Sequence, residues 1–118
     1  MAECHYPDAG GFGNNPAHTL FGTLAVEYAL DAALKFAYKH PNTLILVVGN
    51  HETGGLSVLH NPQDPSNPFC QYTSNEPTAQ PVNLYAVGPG AGRFSGNLDN
   101  IMIPRIIADL WKLPLVNK

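Results

Sequence analysis

Asn50-His51-Glu52 closes an apolar run and sets an imidazole beside a carboxylate, two groups that can serve as metal ligands or as an acid/base pair. Taken alone, the triplet reads more simply as a polar turn that satisfies its own backbone amides. Glu3, Cys4, His5 and Asp8 put hard and borderline ligand types close together near the N-terminus, and a solvated segment accounts for them as well. Gly88-Pro89-Gly90-Ala91-Gly92-Arg93 has the composition of a phosphate-cradling loop, yet Pro89 lacks an N–H and the glycine spacing is neither Walker nor Rossmann. Tight turns are the simpler reason for those glycines. His18 and His40 fall at helix ends and His60 near a loop, which suits solvated side chains. Ser95 has no G-x-S-x-G context and no His or Asp at diagnostic spacing, so it is assigned no nucleophile role. Cys4 and Cys70 form no C-x-x-C pair and read as two unpaired thiols.

These residues have to be held by regular elements. From about Thr19 to His40 no proline interrupts the chain, and Leu20, Leu24, Ala29, Ala32, Ala33, Phe36 and Ala37 recur at helical spacing. Glu27, Asp31, Lys35 and Lys39 follow one another at i+4 with the acids first, which favours pairing and the helix dipole. Pro41 ends this helix. Thr43 to Val48 then reads as a strand buried on both faces, the kind found in parallel sheets, so Gly49–Gly55 falls where α/β proteins place ligands. Residues 61–81 read as a long irregular loop, Val82 to Val87 as a second strand, and Pro104 to Leu113 as an amphipathic helix burying Ile103, Ile106, Ile107, Leu110 and Trp111.

Composition excludes whole classes of function. The 118 residues suit one domain; 44% are hydrophobic and only 13% charged, with 11 Gly and 11 Pro. A net charge of −3 and the lack of a basic stripe argue against nucleic-acid binding. The longest apolar run, Leu44 to Val48, is far shorter than the roughly 20 residues of a membrane span, so no membrane partner is expected. The N-terminal residues lack the basic and then apolar regions of a signal peptide, which leaves the compartment open.

Three segments together resemble the C-terminal portion of the alkaline phosphatase family. They are Glu3 to Pro16 leading into the long helix, His40 to Gly55, and Tyr85 to Ala91 followed by Arg93-Phe94-Ser95-Gly96 and Asp99-Asn100. Their order and spacing agree, and the likeness is loosest in residues 57–75. It implies a partial α/β sandwich, one apparently incomplete domain over 1–118, with parallel core strands and two main helices. It also implies a family that hydrolyses phosphate monoesters with a serine nucleophile, two zinc ions and a magnesium ion.

Carried over residue by residue, Glu3 falls on the magnesium-binding Glu, Asp8 on a zinc-binding Asp and His51 on a zinc-binding His. Phe12, Asn50 and Pro77 stand where the family has a zinc His, a zinc Asp and a further zinc His. Phe and Pro offer no side-chain donor and Asn only a neutral amide, whereas a catalytic zinc normally needs about three protein ligands. Zinc and magnesium are therefore expected to bind weakly or not at all. The nucleophile, the metal-bridging aspartate and the phosphate-clamping arginine belong to the family's N-terminal part, as does the core strand that precedes Glu3. The expectation is a fragment without hydrolase activity as an isolated chain, whose open sheet edge self-associates or packs against another protein. The alternatives are half of a split phosphomonoesterase completed by a partner chain, and a non-catalytic metal-binding or assembly module.

Overall fold

The computed structural model describes residues 1–114. Helix α1 (Tyr6–Phe12) is followed by α2 (Pro16–Lys39), strands β1 (Ile45–Val48), β2 (Glu52–Thr53), β3 (Ser57–Leu59), β4 (Phe69–Gln71), β5 (Pro77–Thr78) and β6 (Leu84–Val87), and helix α3 (Met102–Leu110). A 3₁₀ turn, Ala91–Phe94, lies between β6 and α3. The chain divides into two compact units: Met1–Ala32 with Gly49–Asn83, and Ala33–Val48 with the described part of Leu84–Lys118.

In the first unit, α1 is an element that sequence periodicity does not reveal. Its sequence contains Gly10-Gly11, poor helix formers, but both glycines are buried because neighbouring backbone passes too close for any side chain. A Cβ on Gly10 would lie 2.8 Å from Thr19 Cα, and one on Gly11 2.6 Å from the Thr53 carbonyl oxygen. The helix ends in a Schellman turn, with Asn15 N–H donating to the Gly10 carbonyl (2.9 Å), Asn14 N–H to that of Gly11 (3.0 Å), and Asn14 in the left-handed region. Asn15 then starts α2, its side-chain oxygen accepting the His18 N–H at 3.0 Å, and Pro16 takes the first helical position. This cap starts α2 three residues earlier than the apolar pattern alone indicates.

Residues 61–81 are more ordered than their lack of periodicity suggests. β4 pairs with β3 in the register Ser57↔Gln71, and β5 pairs with β2 through Glu52↔Thr78 and Thr53↔Pro77. The buried Asn61 side chain gathers the intervening turn: it donates to the Asn67 carbonyl at 2.8 Å and accepts the Gln63 and Asp64 N–H groups at 3.0 and 3.3 Å. Side-chain hydrogen bonding of this kind has no sequence period. Cys4 and Cys70 are free thiols.

In the second unit, β1 and β6 pair in the register Ile45↔Val87 to Val48↔Leu84, and they run antiparallel. This corrects the expectation of parallel strands buried on both faces; Ile45, Leu46 and Val47 are only half-buried and Val48 is exposed. A β-branched apolar run reports affinity for a pleated, covered surface and carries no information about strand direction. Gly88, at φ +109, lets the chain leave β6 against Thr43, whose carbonyl oxygen occupies the space a Cβ would need. Among the described residues, Phe94, Ile106 and Ala108 are the buried large or aliphatic side chains, and they lie on α3 and the 3₁₀ turn, which pack together. Helix α3 starts two residues before Pro104, after an Asp99 turn, and ends at Leu110, with Lys112 in the turn beyond it left-handed at φ +54. Trp111 lies beyond it, exposed and not in the buried stripe. No described helix is long and apolar enough to cross a membrane.

Candidate functional site

The pairing of β2 with β5 and the contact of β2 with α1 bring Asp8, His51, Glu52 and Thr53 together in the first unit. Thr53 is the centre of this arrangement. Its hydroxyl donates to Asp8 Oδ1 at 2.5 Å, and its oxygen lies 3.1 Å from His51 Nδ1. Since the single hydroxyl proton is given to Asp8, the Thr53 oxygen can only accept from His51. The second neighbour of Nδ1, the Glu52 carbonyl oxygen at 3.2 Å, is also an acceptor. Hydrogen-bond inventory thus assigns the ring proton to Nδ1 and leaves Nε2 as the basic nitrogen. A carboxylate, a hydroxyl and an imidazole are linked in a row, an order that orients His51.

Glu52 has a different task. Its carboxylate accepts the Gly55 N–H at 3.1 Å, the Leu56 N–H at 3.2 Å and the Thr78 hydroxyl. The turn reading of this triplet therefore holds for Glu52, which closes the loop over two left-handed glycines, Gly54 and Gly55. Burial pushes the Glu52 carboxyl up, but the Thr78 hydroxyl, the Leu56 and Gly55 amides and the charge of His51 outweigh it and hold the carboxyl below its ordinary value. A group depressed by folding adds stability above its unfolded pKa, and that stability is lost as pH falls through the folded value. Glu52→Gln should therefore flatten the fall in melting temperature between about pH 5 and pH 3 relative to the parent chain. Parallel melting curves for the two proteins across that range would remove this role.

The other sequence candidates are placed as follows. Glu3 is exposed in the irregular segment before α1, and Asn50 is exposed in the bend after β1. Phe12 ends α1, 40% exposed, with its carbonyl accepting the Asn75 side-chain N–H at 3.2 Å. Pro77 lies across from Thr53 in the β2–β5 pair. Phe12 lies one helical turn from Asp8 on α1, and Pro77 pairs with Thr53, whose hydroxyl donates to Asp8. Among the described residues, no three His, Cys, Asp or Glu side chains gather so as to hold a metal ion. Sequence reasoning missed Thr53 as the link between Asp8 and His51. It also missed the bond between the Tyr72 and Thr19 hydroxyls, 3.2 Å long, over which Gly54 packs.

No family model and no curated protein matches the chain. Solved structures do. The alkaline phosphatase from the Antarctic bacterium TAB5 is 28% identical with a TM-score of 0.88, over 98% of this chain and 35% of that one. The chain is alkaline-phosphatase-like. A TAB5 mutant with magnesium bound is similar to it at 27% identity and the same TM-score, over 98% of this chain and 36% of that one. A cold-active alkaline phosphatase from Shewanella sp. shares the fold at 20% identity and a TM-score of 0.80, over 92% of this chain and 44% of that one. The alkaline-phosphatase-like segment therefore spans little more than a third of the TAB5 enzyme's length.

Does this alkaline-phosphatase-like donor set suit the metals of the family? Asp8 already accepts a short hydrogen bond from Thr53, and of His51 only Nε2 remains available. Phe12 and Pro77 bring no donor to the Asp8 side of the site, and Asn50 brings no charge to the His51 side. The residues present do not fit a zinc pair.

Proposed function

We propose that this chain is an alkaline-phosphatase-like portion that does not hydrolyse phosphate monoesters by itself. The observation that carries this reading is the Thr53 hydroxyl joining Asp8 to His51, with Phe12 and Pro77 on the adjoining elements where ligands would be required. A two-metal phosphoryl transfer needs both ions to neutralise the attacking and leaving oxygens, and half-built ligand sets supply neither. In this reading the 118 residues form part of one larger domain, and their β1–β6 pair belongs to a sheet whose further strands come from the rest of that domain. The short span of the chain relative to the TAB5 enzyme supports this.

The same short span favours a second reading, half of a split phosphomonoesterase completed by other residues. An assay of the purified chain with an aryl phosphate, zinc and magnesium supplied in excess, together with elemental analysis after dialysis, separates the possibilities. The expected result is no turnover above buffer and less than one zinc per chain. Turnover by the chain alone overturns the proposal, and stoichiometric zinc without turnover favours a non-catalytic metal binder.

A further inference from the structure

In the first unit, β2 is two residues long, and each of its side chains makes a carboxylate–threonine hydrogen bond to a different element. Glu52 accepts from Thr78 on β5, and Thr53 donates to Asp8 on α1 at 2.5 Å, the length of a charge-assisted bond between a hydroxyl and a carboxylate. An isolated pair of strands is marginal in water even at ordinary length, so the two-residue β2–β5 ladder owes its position to what surrounds it. On the α1 side the backbones meet directly. A Cβ on Gly11 would lie 2.6 Å from the Thr53 carbonyl oxygen, and one on Gly54 2.9 Å from the Gly11 carbonyl oxygen, so no side chain can be inserted at this seam. We infer that the Asp8–Thr53–His51 row is a metal-free clasp at that seam, holding α1 on β2 and setting the His51 ring through one hydroxyl. The inference rests on the reading that the residues present do not fit a zinc pair, and it makes Thr53 a positioning residue.

Counting protons and lone pairs fixes how the clasp works. The Asp8 carboxylate only accepts, so it takes the single Thr53 proton, and the Thr53 oxygen then accepts from His51 Nδ1, 3.1 Å away. Asp8 thereby decides the tautomer of a ring that it does not touch. Without the carboxylate, the Thr53 proton is free to turn to Nδ1 and the ring proton moves to Nε2. Without the Thr53 hydroxyl, Nδ1 keeps only the Glu52 carbonyl oxygen, an acceptor, and the ring proton stays where it is. A cation at Asp8 would have to displace a charge-assisted hydrogen bond, and with no donor at Phe12 or Pro77 it would gain few ligands in exchange. The clasp is therefore the favoured state of this donor set whether or not metal is in solution. Removing the hydroxyl leaves the half-buried Asp8 carboxylate without its donor, a larger cost than the loss of a neutral hydrogen bond.

The test uses thermal melting and NMR of the full 118-residue chain. The melting temperature of the parent should change by less than about 1 °C on adding a chelator, zinc or magnesium, because a cation that bound the folded chain would raise it with concentration. Thr53→Val should lower it by about 5 °C or more in chelator, and Thr53→Ser, which keeps the hydroxyl, should recover most of that loss. Thr23→Val makes the same change at an exposed position of α2, where the hydroxyl bonds only the Thr19 carbonyl, and should shift it by less than about 2 °C. The ring nitrogen shifts of neutral His51 give a readout that simple loosening does not mimic. They should report the proton on Nδ1 in the parent, a larger share on Nε2 in Asp8→Ala, and Nδ1 again in Thr53→Val and in the double variant. Asp8→Ala and Thr53→Ser carry the test even if Thr53→Val does not fold. The inference is overturned if the parent loses about 5 °C or more in chelator, if Thr53→Val melts like Thr23→Val, or if Asp8→Ala leaves the ring proton on Nδ1. Turnover is not among these readouts, so this inference and the proposed lack of activity fail separately.

Discussion

A chain carrying Phe12→His and Pro77→His will bind zinc at least about 100-fold more tightly than the parent, because three ligands then converge where one stood. The fold already provides the geometry. Position 12 lies one helical turn from Asp8 on α1, and position 77 faces Thr53, whose hydroxyl rests on Asp8. Imidazoles at both positions would add two donors on elements that adjoin Asp8, and a dication held by all three would outcompete the single hydrogen bond from Thr53. Adding Asn50→Asp beside His51 restores charge to the second set, and a further gain in metal content is expected. Competition with a chromophoric chelator at neutral pH reads each step. If the parent and the substituted chains compete equally well, the missing donors are not what limits metal binding, and the argument for a silent phosphatase portion loses its basis.

The residues of this site were legible in the sequence to different degrees, for physical reasons. Asp8 and His51 stand out because carboxylate and imidazole have few reasons to sit at matching positions in a resembling pattern. Phe12 and Pro77 stand out because they have no donor atom. Thr53 does not, since a threonine in a strand pair is ordinary, and only three-dimensional placement turns its hydroxyl into the link between α1 and the His51 loop. Glu52 was visible as part of a polar turn that satisfies nearby backbone amides, as it does at positions 55 and 56, but its bond to the Thr78 hydroxyl, 26 positions away, was not.

The same distinction runs through the fold. Helix α2 was apparent from its apolar recurrence, and α3 from its stripe around Ile106. Helix α1 was hidden because close packing required glycine at positions 10 and 11, where local propensity argues against a helix. The direction of β1 was hidden too, since an apolar tetrapeptide suits either kind of ladder and its pairing with β6 depends on residues some forty positions away.

Gly22→Ala should cost about 2 kcal/mol or more, although alanine is the better helix former by about 1 kcal/mol. The residue is the buried glycine of α2, and a Cβ there would lie 2.5 Å from Pro7 N, 2.7 Å from Tyr6 C and 2.8 Å from Pro7 Cδ. Backbone and a proline ring cannot yield as a flexible side chain does, so the start of α1 must move away. Asp8 is the next residue after Pro7, and its bond to Thr53 moves with it. A fall in melting temperature of roughly 10 °C is expected for a domain of this size. Gly92→Ala supplies the opposite case, since nothing lies within 4 Å of its Cβ position and its φ is compatible with alanine. There the smaller entropy of the unfolded chain should dominate, with a gain of roughly 0.5 kcal/mol. Equal shifts in the same direction for the two variants would show that intrinsic propensity governs both positions. In that case the close approach of α1 to α2 would not be what sets Asp8 in place.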